Sequence, residues 1–245
     1  MAESGNEGFT QGEQWLERRG FNLRAVLDVG AFPSDLASAW DATGIPRIPG
    51  QRLVMLGMGG FALWDWMTTQ DLSNEADPFD AVSRRVALEV AERFWGDPIP
   101  RLLYPGDALI PLQQLGRWAG WSVPSPLGLD VSPVFGLWFA FRVAMLTLAD
   151  LPFSERRPTM SPCDTCDDQP CIQACPVGAV RKKEVFDRQR CQEKRFEDQF
   201  GCGIKCHSRL ACPIGIKWRY PQRQLHYHGE RSLRGLLALK NASGG

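Results

Sequence analysis

Residues 163–178 read CDTCDDQPCIQACPVG, and residues 202–215 read CGIKCHSRLACPIG. With Cys191 between them, these two runs hold all eight cysteines of the 245-residue chain, while residues 1–162 hold none. The first 20 residues lack the basic and apolar segments of a signal peptide, so we expect a cytoplasmic protein. Thiols clustered in a reducing compartment are typical of metal binding rather than of disulfides.

The cysteines divide into two sets of four, and each set ends in Cys-Pro. The first set has the spacing Cys-x2-Cys-x4-Cys-x3-Cys-Pro, and the second takes Cys191 and then Cys-x3-Cys-x5-Cys-Pro. In two-cluster ferredoxins the first three cysteines of a run ligate one iron-sulfur cluster and the fourth crosses to the other. This rule predicts two [4Fe-4S] clusters. Cluster 1 is assigned to Cys163, Cys166, Cys171 and Cys212, and cluster 2 to Cys175, Cys191, Cys202 and Cys206.

The spacing departs from the ferredoxin standard and leaves alternatives open. Ferredoxin runs have x2-x2-x3 spacing, whereas Gln169 and Pro170 lengthen the first run and the second run is looser. One cluster with an incomplete second site, structural zinc, and disulfides are the alternatives. Zinc normally uses two Cys-x2-Cys pairs, and this chain has one.

Charge separates the chain near residue 150. Residues 1–150 carry 11 basic and 18 acidic side chains, whereas residues 151–245 carry 17 and 10, although the formal net charge of the chain is zero. Residues 151–162 hold three prolines and indicate a linker. We therefore predict a first domain over 1–150, a cluster domain over 163–228, and a C-terminal helix and tail over 229–245.

The apolar pattern predicts an α+β fold, because strands and helices are mixed without strict alternation. The predicted strands are 22–31, 51–58, 101–104, 127–131 and 134–148. The predicted helices are a short one around Trp15, then 61–67, 77–95, 109–121, and a short one at the C-terminus. No apolar run is long enough to span a bilayer, so we expect no membrane association.

The cysteine motifs resemble the dicluster ferredoxin domain of epoxyqueuosine reductases, and more closely a bacterial family usually called ferredoxins. The family motifs PSPxGLxV, FxFR, PCxxxCPVGA and ACPxG match residues 124–131, 139–142, 170–179 and 211–215. The resemblance covers most of the chain and is most specific in the cysteine half. It implies a ferredoxin-like dicluster domain that transfers electrons.

The first half resembles the cobalamin-processing chaperone of the cblC type. Residues 135–142, FGLWFAFR, followed by Asp150-Leu151-Pro152, are similar to that family's FGGWFAIR strand and DLP, and epoxyqueuosine reductases carry a comparable pattern. The resemblance implies a flavin-reductase-like domain that binds cobalamin or another corrinoid. The side chains implied in this pocket are Trp121, Phe135, Trp138, Phe139 and Arg142. The residues alone are equally compatible with a buried aromatic strand.

Epoxyqueuosine reductases place a proton-donating aspartate before a helix that ends in Gly-Trp. Counting back from Gly120-Trp121, the matching position here is Tyr104, and Asp107 lies three residues later. Asp107 is a weak candidate to replace the proton donor, and its simpler role is to cap the following helix. This departure weakens the case for queuosine chemistry.

The chemistry that these features predict is single-electron transfer from a reduced donor, flavodoxin or a ferredoxin, to a cobalamin in the first domain. The alternatives are a stand-alone electron carrier whose first domain binds a protein partner, and a reductase that modifies tRNA. Basic side chains near the cysteines are candidates to dock the acidic donor or RNA, or form a solvated face. They are Arg181, Lys182, Lys183, Arg188, Arg190, Lys194 and Arg195.

Overall fold

The computed structural model describes residues 2–155, 159–182 and 184–243. The chain forms two compact units. The first comprises Met1–Trp121 with Phe139–Pro158, and the second comprises Ser122–Trp138 with Thr159–Gly245. Residues 122–138 therefore belong to the unit that holds the cysteines, whereas the sequence assigned them to the first domain over 1–150. Part of the predicted linker, residues 156–158, lies outside the described residues.

The first unit is built on a four-stranded antiparallel sheet with the order β1-β2-β6-β3. Its strands are β1 (Leu23–Asp28), β2 (Arg52–Gly59), β3 (Arg101–Tyr104) and β6 (Phe139–Thr147). Its helices are α1 (Ala2–Glu17), α2 (Ser34–Asp41), α3 (Ala62–Met67), α4 (Pro78–Trp95) and α5 (Leu112–Trp118). The mixture of helices with an antiparallel sheet agrees with the predicted fold class.

Two elements of the first unit agree closely with their sequence signals. β2 is buried from Leu53 onward, as expected for an apolar run bounded by glycine. α4 begins after Asp77, whose side chain accepts a hydrogen bond from the Asp80 N–H, and it ends at Gly96 in the left-handed region (φ 69°). These caps provide hydrogen-bond partners for backbone groups that have none within the helix at its ends.

Other boundaries were predicted wrongly, for local reasons. The strand over 22–31 ends at Asp28, because its side chain accepts the Gly30 N–H and starts a 3-10 turn. The helix over 109–121 begins only at Leu112, after Pro111. The strand over 134–148 begins only at Phe139, because Gly136 adopts a left-handed φ of 60° and pairs with Ser132 in a turn.

The second unit has little regular structure before its last helix. The predicted strand over 127–131 is reduced to β5 (Asp130–Val131), which pairs with β4 (Val123–Pro124). Three short helices lie in the cysteine region: α6 (Pro170–Gln173), which contains Cys171, α7 (Arg188–Glu197), which contains Cys191, and α8 (His207–Ala211). The predicted short C-terminal helix is instead α9, Gln222–Ser243, which follows Pro221 and crosses the predicted boundary at residue 228. Within the described ranges, none of the helices has the length and apolar character that a bilayer span requires.

Candidate metal centres

All eight cysteines lie in the second unit as free thiols, so the structure does not support the disulfide alternative. They line two separate pockets. The sets are Cys163, Cys166, Cys171 and Cys212 around the first pocket, and Cys175, Cys191, Cys202 and Cys206 around the second. Each pocket is thus lined by the four cysteines that the crossing rule groups together.

The first pocket is small and apolar. Its cavity is about 20 Å³, and Leu127, Val131 and Leu137 lie beside the thiols. Cys171 and Cys212 are each 8% exposed and belong to the same buried apolar cluster as these side chains. These apolar side chains thus enclose the two buried thiols.

The second pocket, which we call the chamber, is much larger, with a cavity of about 660 Å³. Cys191 projects from α7, which Asp187 caps by accepting the Arg190 N–H. Cys206 is itself the N-terminal cap of α8, where its sulfur accepts the Arg209 N–H at 3.4 Å. The chamber is therefore built from helix starts and loops that the spacing of the cysteines brings together.

The electrostatic influences on the thiols follow the same division. Burial raises the pKa of Cys171, and the charges of Cys212, Cys163 and Cys166 raise it further. Burial also raises the pKa of Cys191. There the charges of Cys206, Cys175 and Cys202 act in the same direction, while Arg195 opposes them. The cysteine charges that act on each of these two thiols come from its own set of four.

Cys175 differs because its pKa is lowered. Burial alone raises this pKa, but hydrogen bonds from the backbone of Val177, Val180 and Ala179 and from Ser208 outweigh it. The Ala179 N–H lies 3.3 Å from the sulfur. The Cys-Pro-Val-Gly turn thus directs backbone donors at Cys175, which favours the thiolate form that a metal needs.

Neither set of four thiols is grouped around one point where a single metal ion would bind. A zinc ion needs its sulfur ligands at about 2.3 Å from one point. Across residues 2–155, 159–182 and 184–243, no group of three or more His, Cys, Asp or Glu side chains is arranged to hold one metal ion. A [4Fe-4S] cluster instead takes one thiolate on each of its four irons, so its cysteines need not converge on a point.

The residues predicted to contact a corrinoid are divided between the two units. Trp121, Phe139 and Arg142 belong to the first unit, whereas Phe135 and Trp138 belong to the second. Trp121 stacks on Phe141 with ring centroids 6.0 Å apart, and Phe139 packs edge-on against Phe141 at 5.6 Å.

In the second unit, Trp138 is fully buried and lines the chamber. The Arg209 guanidinium lies 4.6 Å from the centre of its ring. The same guanidinium donates to the Leu137 carbonyl at 2.7 Å, which fixes it in place. Sequence reasoning missed this contribution of residues 127–138 to the chamber, because no cysteine marks that segment.

The two candidate catalytic residues differ in environment. Tyr104 ends β3 and is half-buried, and burial raises its pKa while the charge of Arg142 opposes the rise. Asp107 lies in an exposed turn, five residues before α5 begins. The prediction that Asp107 caps the following helix is wrong, because Pro111 occupies the cap position.

Comparison with solved structures identifies the fold. The B12-trafficking protein CblC of C. elegans superposes with a TM-score of 0.56 at 13% identity, over 96% of this chain and 97% of that one. The chain has a fold similar to CblC. No protein-family model and no curated sequence matches it.

Epoxyqueuosine reductases have a similar fold as well. The enzyme from Bacillus subtilis gives a TM-score of 0.58 at 12% identity, over 85% of this chain and 65% of the enzyme. An epoxyqueuosine reductase with an epoxyqueuosine-modified tRNA-Tyr stem loop gives 0.56 at 14% identity, over 90% of this chain and 68% of that one. The chain thus spans about two thirds of these enzymes, and the likeness concerns the fold.

Proposed function

We propose that this protein is an iron-sulfur redox protein that binds two [4Fe-4S] clusters and transfers single electrons. The observation that carries the proposal is the pair of separate pockets, each lined by four free cysteines. Such clusters supply one-electron transfer when bound, at potentials set by charge, hydrogen bonds and exposure. The second unit would then be a ferredoxin-like dicluster domain.

The chain's own residues prepare the two sites differently. Leu127, Val131 and Leu137 pack beside the first set of thiols, of which Cys171 and Cys212 are buried. At the chamber, the backbone donors at Cys175 and the Arg209 N–H at Cys206 stabilise negative charge on sulfur. The donors at the chamber favour the thiolate form that a cluster ligand needs, whereas burial in the first pocket raises the pKa of Cys171.

We propose a corrinoid, cobalamin, as the electron acceptor, held by a flavin-reductase-like first unit. The support is the fold likeness to CblC, whose name describes B12 trafficking. Phe139 and Phe141 are half-buried aromatic residues of β6 that pack against each other, and Phe141 also stacks on Trp121. They offer flat apolar surface to a corrin ring. Arg142 lies 4.3 Å from the centre of the Phe79 ring.

The electron donor proposed is a reduced flavodoxin or ferredoxin. Several of the basic side chains predicted to dock it are engaged in surface ion pairs. Arg181 pairs with Glu184 and Asp187, and Lys194 lies 3.8 Å from Glu197. Lys183 lies outside the described residues. Arg188, Lys194 and Arg195 line the chamber and are placed to attract an acidic partner.

A second candidate function, reduction of a modified tRNA base, is favoured by the likeness to epoxyqueuosine reductase with its tRNA stem loop. Its candidate residues are Tyr104 and Asp107. Binding of a tRNA stem loop that weakens steeply with salt would support this function. A plain electron carrier would bind neither the stem loop nor cobalamin.

The first test is iron and sulfide analysis after anaerobic purification of the full chain. About eight irons per chain are expected from two four-iron clusters. Cys166→Ala and Cys206→Ala, one from each set, should each lose about half of the iron, so each variant serves as the matched control for the other. Iron unaffected by both changes, or zinc in place of iron, would contradict the proposal.

The second test is titration of the iron-loaded protein with hydroxocobalamin, followed by absorbance. A base-off spectral change is expected, and Trp121→Leu should weaken it while leaving iron content unchanged. Full iron with no spectral change would rule out cobalamin as the acceptor and leave an electron carrier.

A further inference from the structure

The two cysteine pockets are electrostatically unequal. Among the described residues that line the first pocket, none is Lys, Arg, Asp or Glu. The chamber is lined by five cationic side chains and, among its described lining residues, by no carboxylate. The five cations are Arg188, Lys194, Arg195, Lys205 and Arg209.

Helix α7 concentrates these cations beside a cysteine. Lys194 and Arg195 follow Cys191 by three and four residues, which places all three on one face of the helix. The ammonium of Lys194 lies 3.8 Å from the carboxylate of Glu197, which is exposed, so this ion pair compensates little of the Lys194 charge.

Arg195 also has a structural role. Its guanidinium donates to the Gly203 carbonyl at 2.7 Å and to the Ser232 hydroxyl at 3.2 Å. Arg195 therefore braces the loop of Cys202 against α9, and its removal would change both charge and geometry. The Lys194 ammonium instead reaches the Glu197 carboxylate at 3.8 Å, and it is the cleaner probe of charge.

Reduction of an iron-sulfur cluster adds one electron to a group that already carries negative charge. Nearby cations and N–H donors stabilise the added charge, while a small apolar enclosure makes it less favourable. The chamber has both cations and the donors at Cys175 and Cys206. The first pocket has an apolar wall of Leu127, Val131 and Leu137.

We propose that the chamber is the site of higher reduction potential and that Lys194 contributes to this potential through its charge. The first electron given up by a reduced flavodoxin or ferredoxin then resides at the chamber. The donor loses one electron and the chamber site gains one, with no bond made or broken. This inference rests on the proposed function.

The test is a potentiometric titration of the iron-loaded full chain, with dithionite as reductant and electron paramagnetic resonance as the readout. Two one-electron steps are expected at distinct potentials. Lys194→Met should move only the higher step to a more negative potential, and Lys194→Glu should move it further. Arg234→Met is the matched control, because Arg234 is exposed on α9 and does not line the chamber.

Cys206→Ala assigns the steps, because this variant should retain only the step of lower potential. Coincident potentials, retention of the higher step in Cys206→Ala, or a Lys194→Met shift in the lower step would each overturn the inference while leaving two clusters in place. A chain that binds no cluster would fail earlier, at the iron analysis, and would overturn the proposed function together with this inference.

Discussion

The two Cys-Pro-x-Gly turns differ in one respect that a pair of alanine substitutions can measure. Gly178 and Gly215 both adopt left-handed φ, at 61° and 71°. A Cβ added at Gly178 meets no atom within 4 Å, whereas one at Gly215 comes within 2.4 Å of the Phe135 backbone carbonyl. The same change thus meets open space in one turn and another backbone segment in the other.

The expected magnitudes follow from these two environments. An alanine in the left-handed region costs about 1–2 kcal/mol, and this is the whole loss of unfolding free energy expected for Gly178→Ala. At Gly215 the obstacle is backbone, which cannot move aside as a side chain does, and overpacking adds about 1–3 kcal/mol. Gly215→Ala should therefore lose roughly 2–5 kcal/mol, a large share of the typical 5–15 kcal/mol.

The assay is denaturant unfolding of the two full-chain variants under identical conditions, with iron content as a second measurement. Because Cys212 lies three residues before Gly215, a displaced turn should also lower iron at the first pocket in Gly215→Ala. Equal destabilisation by the two substitutions would show that the close backbone approach does not exist in solution and would refute the reasoning.

Two further predictions concern polar groups that are buried or half-buried. The Ser122 hydroxyl donates to the Asp130 carboxylate at 3.0 Å, and both residues are almost fully buried (1% and 5% exposed). Ser122→Ala should cost about 1–3 kcal/mol of unfolding free energy, while Ser73→Ala, at the exposed Ser73–Asp71 pair, should cost almost none. Because burial raises the pKa of Tyr104, the unfolded chain releases this proton at lower pH, and stability falls as pH rises above about 10. Tyr104→Phe should reduce that fall in thermal unfolding, and an unchanged pH dependence would contradict the assignment.

Local signals predicted the elements that depend on local chemistry. β3 has the predicted bounds, and α4 is preceded by the Asp77 cap. The α2 helix was missed, although Leu36 and Trp40 are spaced by four and both are buried. Only two buried residues mark this helix, which is too few for a periodic pattern to stand out from a loop.

The arrangement of the site depends on contacts that are distant in sequence. The cysteine spacing groups the same residues that line each pocket. It does so because the ferredoxin rule already assigns the fourth cysteine of each run to the cluster of the other run, which is distant in sequence. The segment over 122–138 carries no such mark. Its place in the second unit depends on contacts such as the approach of Gly136 to Ile214, which composition and charge do not reveal.

The discontinuity of the first unit affects how the chain can fold during synthesis. Residues 122–138 leave the ribosome well before Thr159–Gly245, with which they form a unit. β3 likewise waits for β6, the strand beside it in the sheet. Each unit therefore depends on sequence that is synthesised after part of the other unit has already emerged. Early segments wait longer for their partners than in a chain whose domains follow one another in sequence.

The same discontinuity limits how the cysteine-bearing unit can be inherited or transplanted. A fragment that starts at Thr159 lacks Leu127, which lines both pockets, and Trp138, which lines the chamber. A fragment that ends at Pro158 carries residues 122–138 without the rest of their unit. A single genetic crossover within the gene would thus separate one unit from part of its own sequence. This favours inheritance of the two units as one gene segment.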